Sequence, residues 1–197
     1  VTVIASTETT VLSMAERGWH LVPIRPAQEN EPASNSPGKN PGTLVGTGWQ
    51  NKTSCDPTQI ERWIKQHGRC NWGLLLGPKS GIWDLEYDDA EGREIIENAV
   101  EALGGILTPS YSSAKSVHRL FLYDERIEAL SATSCKLFGT EWRFGKDAKG
   151  AQSVIPPSVH EKGAVYTWLP GLSPDDVEVA RLPDELFALF LDLRRMD

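Results

Sequence analysis

At 197 residues and a net charge of −7, the chain is long enough to bury a core as one domain or two small lobes, and too acidic to coat nucleic acid non-specifically with high affinity. No run approaches the roughly 18 apolar residues of a membrane span, and the first twenty residues lack the basic start and apolar stretch of a signal peptide, so no membrane partner is expected. Cys55, Cys70 and Cys135 are odd in number and lack a Cys-x₂-Cys spacing; they read as free thiols in a reducing compartment, with neither a disulfide framework nor a zinc site.

Residues 7–17 read as a first helix, with Val11, Leu12 and Ala15 on one face. Trp19 to Ile24 reads as a strand, and residues 26–48, rich in Pro, Gly, Asn and Ser, as a long loop. Asp56-Pro57 opens a second helix, with the acid as cap and proline as first helical residue; Ile60, Trp63, Ile64 and His67 form its buried stripe. Trp72–Leu76 and Ile82–Glu86 read as strands of a hairpin turning at residues 77–81. Asp88 or Asp89 caps a helix reaching about Leu103, and residues 110–115 read as a small-residue loop. Strands follow at Ser116–Tyr123, Glu141–Phe144, Ser153–Ile155 and Val165–Leu169, with Pro156-Pro157 ending the third. A terminal helix starts at Leu182-Pro183-Asp184, its stripe formed by Leu186, Leu189, Phe190 and Leu193. This order implies an α+β or two-layer α/β plan with mixed or antiparallel sheets. No Gly-x-Gly-x-x-Gly follows a strand and no Gly-x₄-Gly-Lys-Ser/Thr is present, which argues against a Rossmann fold and an ATPase loop.

Four polar side chains interrupt the strand-like segments: Asp84, Glu86, His118 and Glu141. Charged groups do not enter such segments without partners. A period of two puts Asp84 and Glu86 on one face, about 7 Å apart, with Trp83 and Leu85 on the other. Three carboxylates converging from strands suit Mg²⁺ or Mn²⁺ and point to phosphoryl or nucleotidyl transfer. Arg143 shares a face with Glu141 and is either half of a surface ion pair or a ligand for triphosphate oxygens. Lys146 and Lys149 extend that phosphate field or belong to a solvated loop; with Lys136 and Arg143 they make a local basic face. His118 shares a face with Ser116 and is flanked by Lys115 and Arg119; it is either a satisfied strand histidine or a donor to phosphate. His160 either joins it or fixes its own loop, and Ser158 is placed to meet a phosphate or sugar.

Taken together these segments resemble the bifunctional DNA primase/polymerase N-terminal domain, a branch of the archaeo-eukaryotic primase superfamily found in plasmid and phage replication proteins. The resemblance runs from Gly18 to about Leu186 and rests on Gly18-Trp-His-Leu-Val-Pro-Ile, Gly38-Lys39-Asn-Pro41, Trp49, Asn71-Trp-Gly-Leu-Leu-Leu-Gly77, Asp84-Leu-Glu86, Ser116-Val-His118, Glu141-Trp-Arg143, and Gln152 to His160 with Gly163 and Tyr166-Thr-Trp168. It implies a primase-polymerase fold in which an N-terminal α/β module holding the first acidic pair packs with an RNA-recognition-like sheet supplying the histidine strand and third carboxylate, the active site lying in the cleft between them. Residues 1–197 would form one catalytic domain, the N-terminal part of a longer replication protein. Implied too are two Mg²⁺ or Mn²⁺ ions on Asp84, Glu86 and Glu141, with His118, Ser116, Arg143, Lys146 and Ser158 toward the nucleotide. No zinc is expected. The expected partners are single-stranded DNA template, nucleoside triphosphates (NTP or dNTP) and a C-terminal helicase domain or replicative helicase, in the cytoplasm. The competing readings are a metal-dependent nuclease and a non-catalytic replication-initiator or single-strand DNA-binding module.

Overall fold

The computed structural model describes residues 7–130, 132–146 and 150–197, the first four of these by backbone alone. In chain order the elements are α1 (Thr7–Glu16), β1 (Leu21–Ile24), α2 (Gly42–Val45), α3 (Pro57–His67), β2 (Asn71–Leu76), β3 (Ile82–Tyr87), α4 (Ala90–Ala102), β4 (Ser110–Ser112), β5 (Val117–Leu122), α5 (Glu125–Glu128), β6 (Ser134–Leu137), β7 (Thr140–Arg143), β8 (Ala151–Ile155), β9 (Thr167–Trp168) and α6 (Asp184–Met196). The fold is α+β, and the chain divides into two compact units: residues 1–75 with 152–167, and residues 76–151 with 168–197. Among the described residues no helix is long and apolar enough to cross a membrane.

The first unit is built on a three-stranded sheet in the order β1-β2-β8. β1 is an edge strand, so Pro23 costs no ladder bond toward a further neighbour; it sits opposite Trp72 in an antiparallel register that also pairs Leu21 with Leu74. The start of α3 follows its sequence: Asp56 accepts from the Thr58 amide at 3.0 Å and Pro57 opens the helix, while Ile60 and Trp63 are buried. The long loop is less formless than its composition suggests. It contains α2 and two 3₁₀ turns, Ala33–Asn35 and Trp49–Lys52. It is pinned by two side chains from the sheet. Buried Asn71 donates to the carbonyls of Gly38 and Val159 at 2.9 and 2.8 Å and accepts from the Val159 amide at 2.9 Å. Gln152 donates to the Lys39 carbonyl at 2.9 Å. Gly38 stands at φ 70°, and a Cβ there would come within 3.1 Å of the Asn71 amide, so the loop approaches β2 closely only because this residue is glycine.

The second unit is built on a six-stranded sheet in the order β6-β7-β3-β5-β4-β9. One face is apolar: Trp83 stacks on Phe121 and Trp142 with ring centroids 5.1 and 5.8 Å apart, and Phe190 of α6 closes on Trp142 at 4.9 Å. Ile96 of α4 and Leu186 and Leu193 of α6 join this core. Trp63, Trp83 and Trp142 are buried, as the strand and helix periods predict. Arg119 points to this same face, where its guanidinium meets both carboxylate oxygens of Glu97 on α4 at 2.9 and 2.8 Å.

Two expectations need correction, and one strand is added. Strands β2 and β3 do not form a hairpin: they meet only at the bridge between Gly77 and Ile82 and enter different sheets, because β5 and β7 occupy both edges of β3. Residues 110–112 form β4 rather than loop, turning into β5 through Ser113–Ser116, where the Ser113 amide donates to the Ser116 carbonyl at 2.9 Å. Strand β6 went unread; its hairpin to β7 turns at Phe138 and Gly139, both with positive φ (48° and 74°), the backbone a two-residue turn of the primed type requires.

Because Asn71 satisfies three backbone groups at once, Asn71→Ala should destabilise the protein by about 3 kcal/mol, leaving buried groups without partners. Thermal denaturation checks this: a fall of roughly 6–12 °C is expected for a chain of this size, and an unchanged midpoint would mean that the loop does not depend on Asn71.

Candidate active site

The second unit's sheet alternates, and its other face is ionic. On β3, Asp84 lies opposite Leu120 of β5 and Arg143 of β7, while Glu86 lies directly opposite Glu141. Asp84, Glu86 and Glu141 expose 0%, 6% and 7% of their surfaces, so water does not neutralise them. Two carboxylates in register across neighbouring strands repel, and desolvated acids need partners. The adjacent strands supply these.

From β5, His118 bridges the first pair. Its Nδ1 lies 2.8 Å from Asp84 Oδ2 and its Nε2 3.1 Å from Glu86 Oε2. Burial pulls the imidazolium pKa down, but Asp84 and Glu86 outweigh it and hold the value above the ordinary histidine range. The ring stacks on fully buried Tyr111 of β4, centroids 4.4 Å apart and planes within 6°, and Trp168 of β9 meets Tyr111 edge-on at 5.2 Å. Ser116 donates to Glu86 Oε2 at 2.9 Å.

From β7, Arg143 reaches both in-register acids. Its Nε is 3.0 Å from Glu141 Oε1, one terminal nitrogen donates to Glu141 Oε2 at 3.1 Å, and the same nitrogen forms a short ion pair with Glu86 Oε1. Burial acts against the charge on this guanidinium, and the Glu86 and Glu141 carboxylates more than restore it. From β6, Lys136 sits opposite Glu141 and places its ammonium 3.1 Å from Glu141 Oε2 and 2.7 Å from Asp88 Oδ2. Lys115 approaches Asp88 from the β4–β5 turn at 3.4 Å.

The six side chains Asp84, Glu86, Ser116, His118, Glu141 and Arg143 are therefore brought together, all within one unit. The acidic pair does not belong to an N-terminal module apart from the histidine strand; β3, β5 and β7 are neighbours in a single sheet. Lys146 is not part of this group. Its ammonium binds the Glu128 carbonyl at 3.3 Å and, more closely, that of Leu130, just beyond α5. Ser158 lies in the first unit, buried, accepting from the Trp72 amide at 2.8 Å and facing the Trp72 carbonyl at 3.4 Å. His160 accepts from the Lys162 amide at 3.1 Å, which matches the reading that it fixes its loop. Lys149 lies outside the described residues. The basic face expected over residues 134–152 is largely committed internally, at Lys136, Arg143 and Lys146. Tyr111 escaped the sequence reading because two serines flank it; its pairing with His118 across the β4–β5 hairpin was the only signal.

Three carboxylates on one buried sheet face are the right donors for a hard divalent cation. The field they create favours the charged forms of His118 and Arg143. Among the described residues, however, no group of three or more His, Cys, Asp or Glu side chains stands ready to hold an ion, because the chain's own cations lie between the acids. The donor set fits a metal in charge and kind.

The second unit of this α+β fold thus gathers acids, a histidine and an arginine on one sheet face. Residues 11–185 match the family model described as bifunctional DNA primase/polymerase, N-terminal, and the chain belongs to that family. A comparison with curated proteins found no match.

Ser158→Ala should lower stability by about 1–2 kcal/mol through a lost buried hydrogen bond, Lys146→Ala by less because its contacts are half-buried or exposed, and both should leave the Michaelis constant for nucleotide unchanged. Paired melting and steady-state measurements check this; a raised KM with an unchanged melting point would restore the nucleotide-binding role.

Proposed function

We propose that this domain catalyses template-dependent nucleotidyl transfer, acting as a DNA primase and DNA polymerase in plasmid or phage replication. The observation that carries the proposal is the single ionic face on which Asp84, Glu86 and Glu141 meet His118 and Arg143, in a chain of the primase/polymerase family. In this reading the three carboxylates hold Mg²⁺ or Mn²⁺, two ions in all, which when bound lower the pKa of the attacking 3′-hydroxyl and steady the departing pyrophosphate. The rest is the work of the chain's own groups. Arg143 carries a permanent charge with a planar fork that matches phosphate oxygens. His118, held in plane by Tyr111, would be a second donor toward phosphate once its Nε2 gives up the Glu86 contact. Ser116 orients Glu86 through its hydroxyl. The proposed partners are single-stranded template, nucleoside triphosphates and a helicase domain or replicative helicase.

A template-dependent extension assay tests this, run with and without primer, with each nucleotide set, in Mg²⁺ and in Mn²⁺. Extension is expected, and Asp84→Ala should reduce it by about a thousandfold or more, on the scale of a lost group that acts in the transition state, while circular dichroism stays native. Normal extension by folded Asp84→Ala protein would remove the assignment. Metal-dependent cleavage of DNA without nucleoside triphosphate binding would favour a nuclease, and template binding that survives chelation without any extension would favour a binding module.

Charge distribution bears on template binding. The first unit carries 8 Lys and Arg against 7 Asp and Glu; the second carries 12 against 20. Repulsion from the second unit, and the engagement of Lys136, Arg143 and Lys146 within it, leave few phosphate contacts there. Titration of labelled single-stranded DNA should give weak binding that weakens further with salt, and reversing exposed Arg62, Lys65 and Arg69 of the first unit to Glu should weaken it more than reversing Lys136 or Lys146. Tight, nearly salt-independent binding would instead indicate recognition dominated by base stacking.

A further inference from the structure

We propose that Arg143 is a resident cation that competes with divalent metal for Glu86 and Glu141, so that metal enters only as the guanidinium leaves. The inference rests on the metal-binding reading of the three carboxylates.

The geometry is that of a filled site. Glu86 and Glu141 face each other in register, and Arg143 contacts both at once, with two of its nitrogens on Glu141 and one of these shared with Glu86. Both carboxylates are more than nine-tenths buried, and the Arg143 side chain is three-quarters buried. In this setting solvent screens the interaction little. A divalent ion taking the same oxygens would meet the guanidinium at contact distance, and the two cations would exclude each other.

Lys136 offers a contrast within the same structure. Its side chain is 67% exposed and its ammonium is shared between Asp88 and Glu141, so water and salt weaken its claim on the site. The three remaining contacts, from His118 and Lys115, lie on Asp84, Glu86 and Asp88 and leave the Glu86–Glu141 gap to Arg143.

A displaced guanidinium needs another anion, and the triphosphate of an incoming nucleotide is one. Metal and nucleotide binding are then coupled, each raising the affinity for the other by the same factor. The nucleotide-free domain would take up metal weakly and fill its site when substrate arrives.

The test is Mn²⁺ binding to the nucleotide-free full chain, read from the electron paramagnetic resonance of free Mn²⁺, for the wild type, Arg143→Gln, Arg143→Lys, Lys136→Gln and Asp84→Asn. Arg143→Gln should bind Mn²⁺ about tenfold more tightly or better, given the size of a buried charge–charge interaction. Arg143→Lys, which keeps the charge but loses the fork, should gain less, and Lys136→Gln should change affinity by about twofold or less. Without metal, Arg143→Gln should melt below the wild type, and Mn²⁺ should raise its melting point more than it raises the wild type's. If both Arg143 variants bind Mn²⁺ no more tightly than the wild type, at a site still lost in Asp84→Asn, competition is wrong while the metal reading stands. If no protein shows an Asp84-dependent Mn²⁺ site, the metal reading itself falls and this inference with it.

Discussion

The second unit depends on one constraint: β3 is a central strand with an apolar face and an anionic face, and the anionic face meets another acid in register. Glu86 opposite Glu141 is an arrangement that a sheet tolerates only if positive charge is supplied within contact distance. Each neighbouring strand contributes to that supply, β5 through His118, β7 through Arg143 and β6 through Lys136. The polar network is therefore part of what specifies the strand order. A chain that paired β3 with other partners would leave the buried carboxylates of Asp84 and Glu86 uncompensated.

The opposite face makes the register unique. Trp83 packs against Phe121 and Trp142, each from one of the flanking strands, and α6 closes over them with Phe190. A slip of one residue on either side would turn these rings toward the ionic face and the charges toward the core. The ion pair between one Arg119 terminal nitrogen and both carboxylate oxygens of Glu97 ties β5 to α4 on the same side. Rigid packing on one face thus sets the distances between the charged groups on the other.

In the first unit, polar side chains perform a different task. Asn71, Gln152 and Ser158 are buried or half-buried and bind backbone, tying long irregular segments to a small sheet. Such residues look functional in a sequence because polar groups in apolar surroundings need a reason to be there. Here the reason is the unsatisfied amides and carbonyls of loops that make few regular hydrogen bonds of their own.

Much was legible from the sequence alone. A period of two assigned Asp84 and Glu86 to one face and Trp83 and Leu85 to the other; Asp56-Pro57 marked a helix start; and the spaced acids, histidine and arginine carried the family resemblance. These are local facts, fixed by backbone geometry over a few residues. The sequence did not determine which strands are neighbours. It could not say that β3 lies between β5 and β7 rather than against β2, that Arg119 faces α4 while His118 faces the acids, or that Lys136 and Tyr111 touch the acid-histidine group while Lys146 and Ser158 bind backbone. Those outcomes depend on pairing across long stretches of chain, decided by the packing of aromatic rings and the neutralisation of buried charge, and neither leaves a periodic signal in the residues themselves.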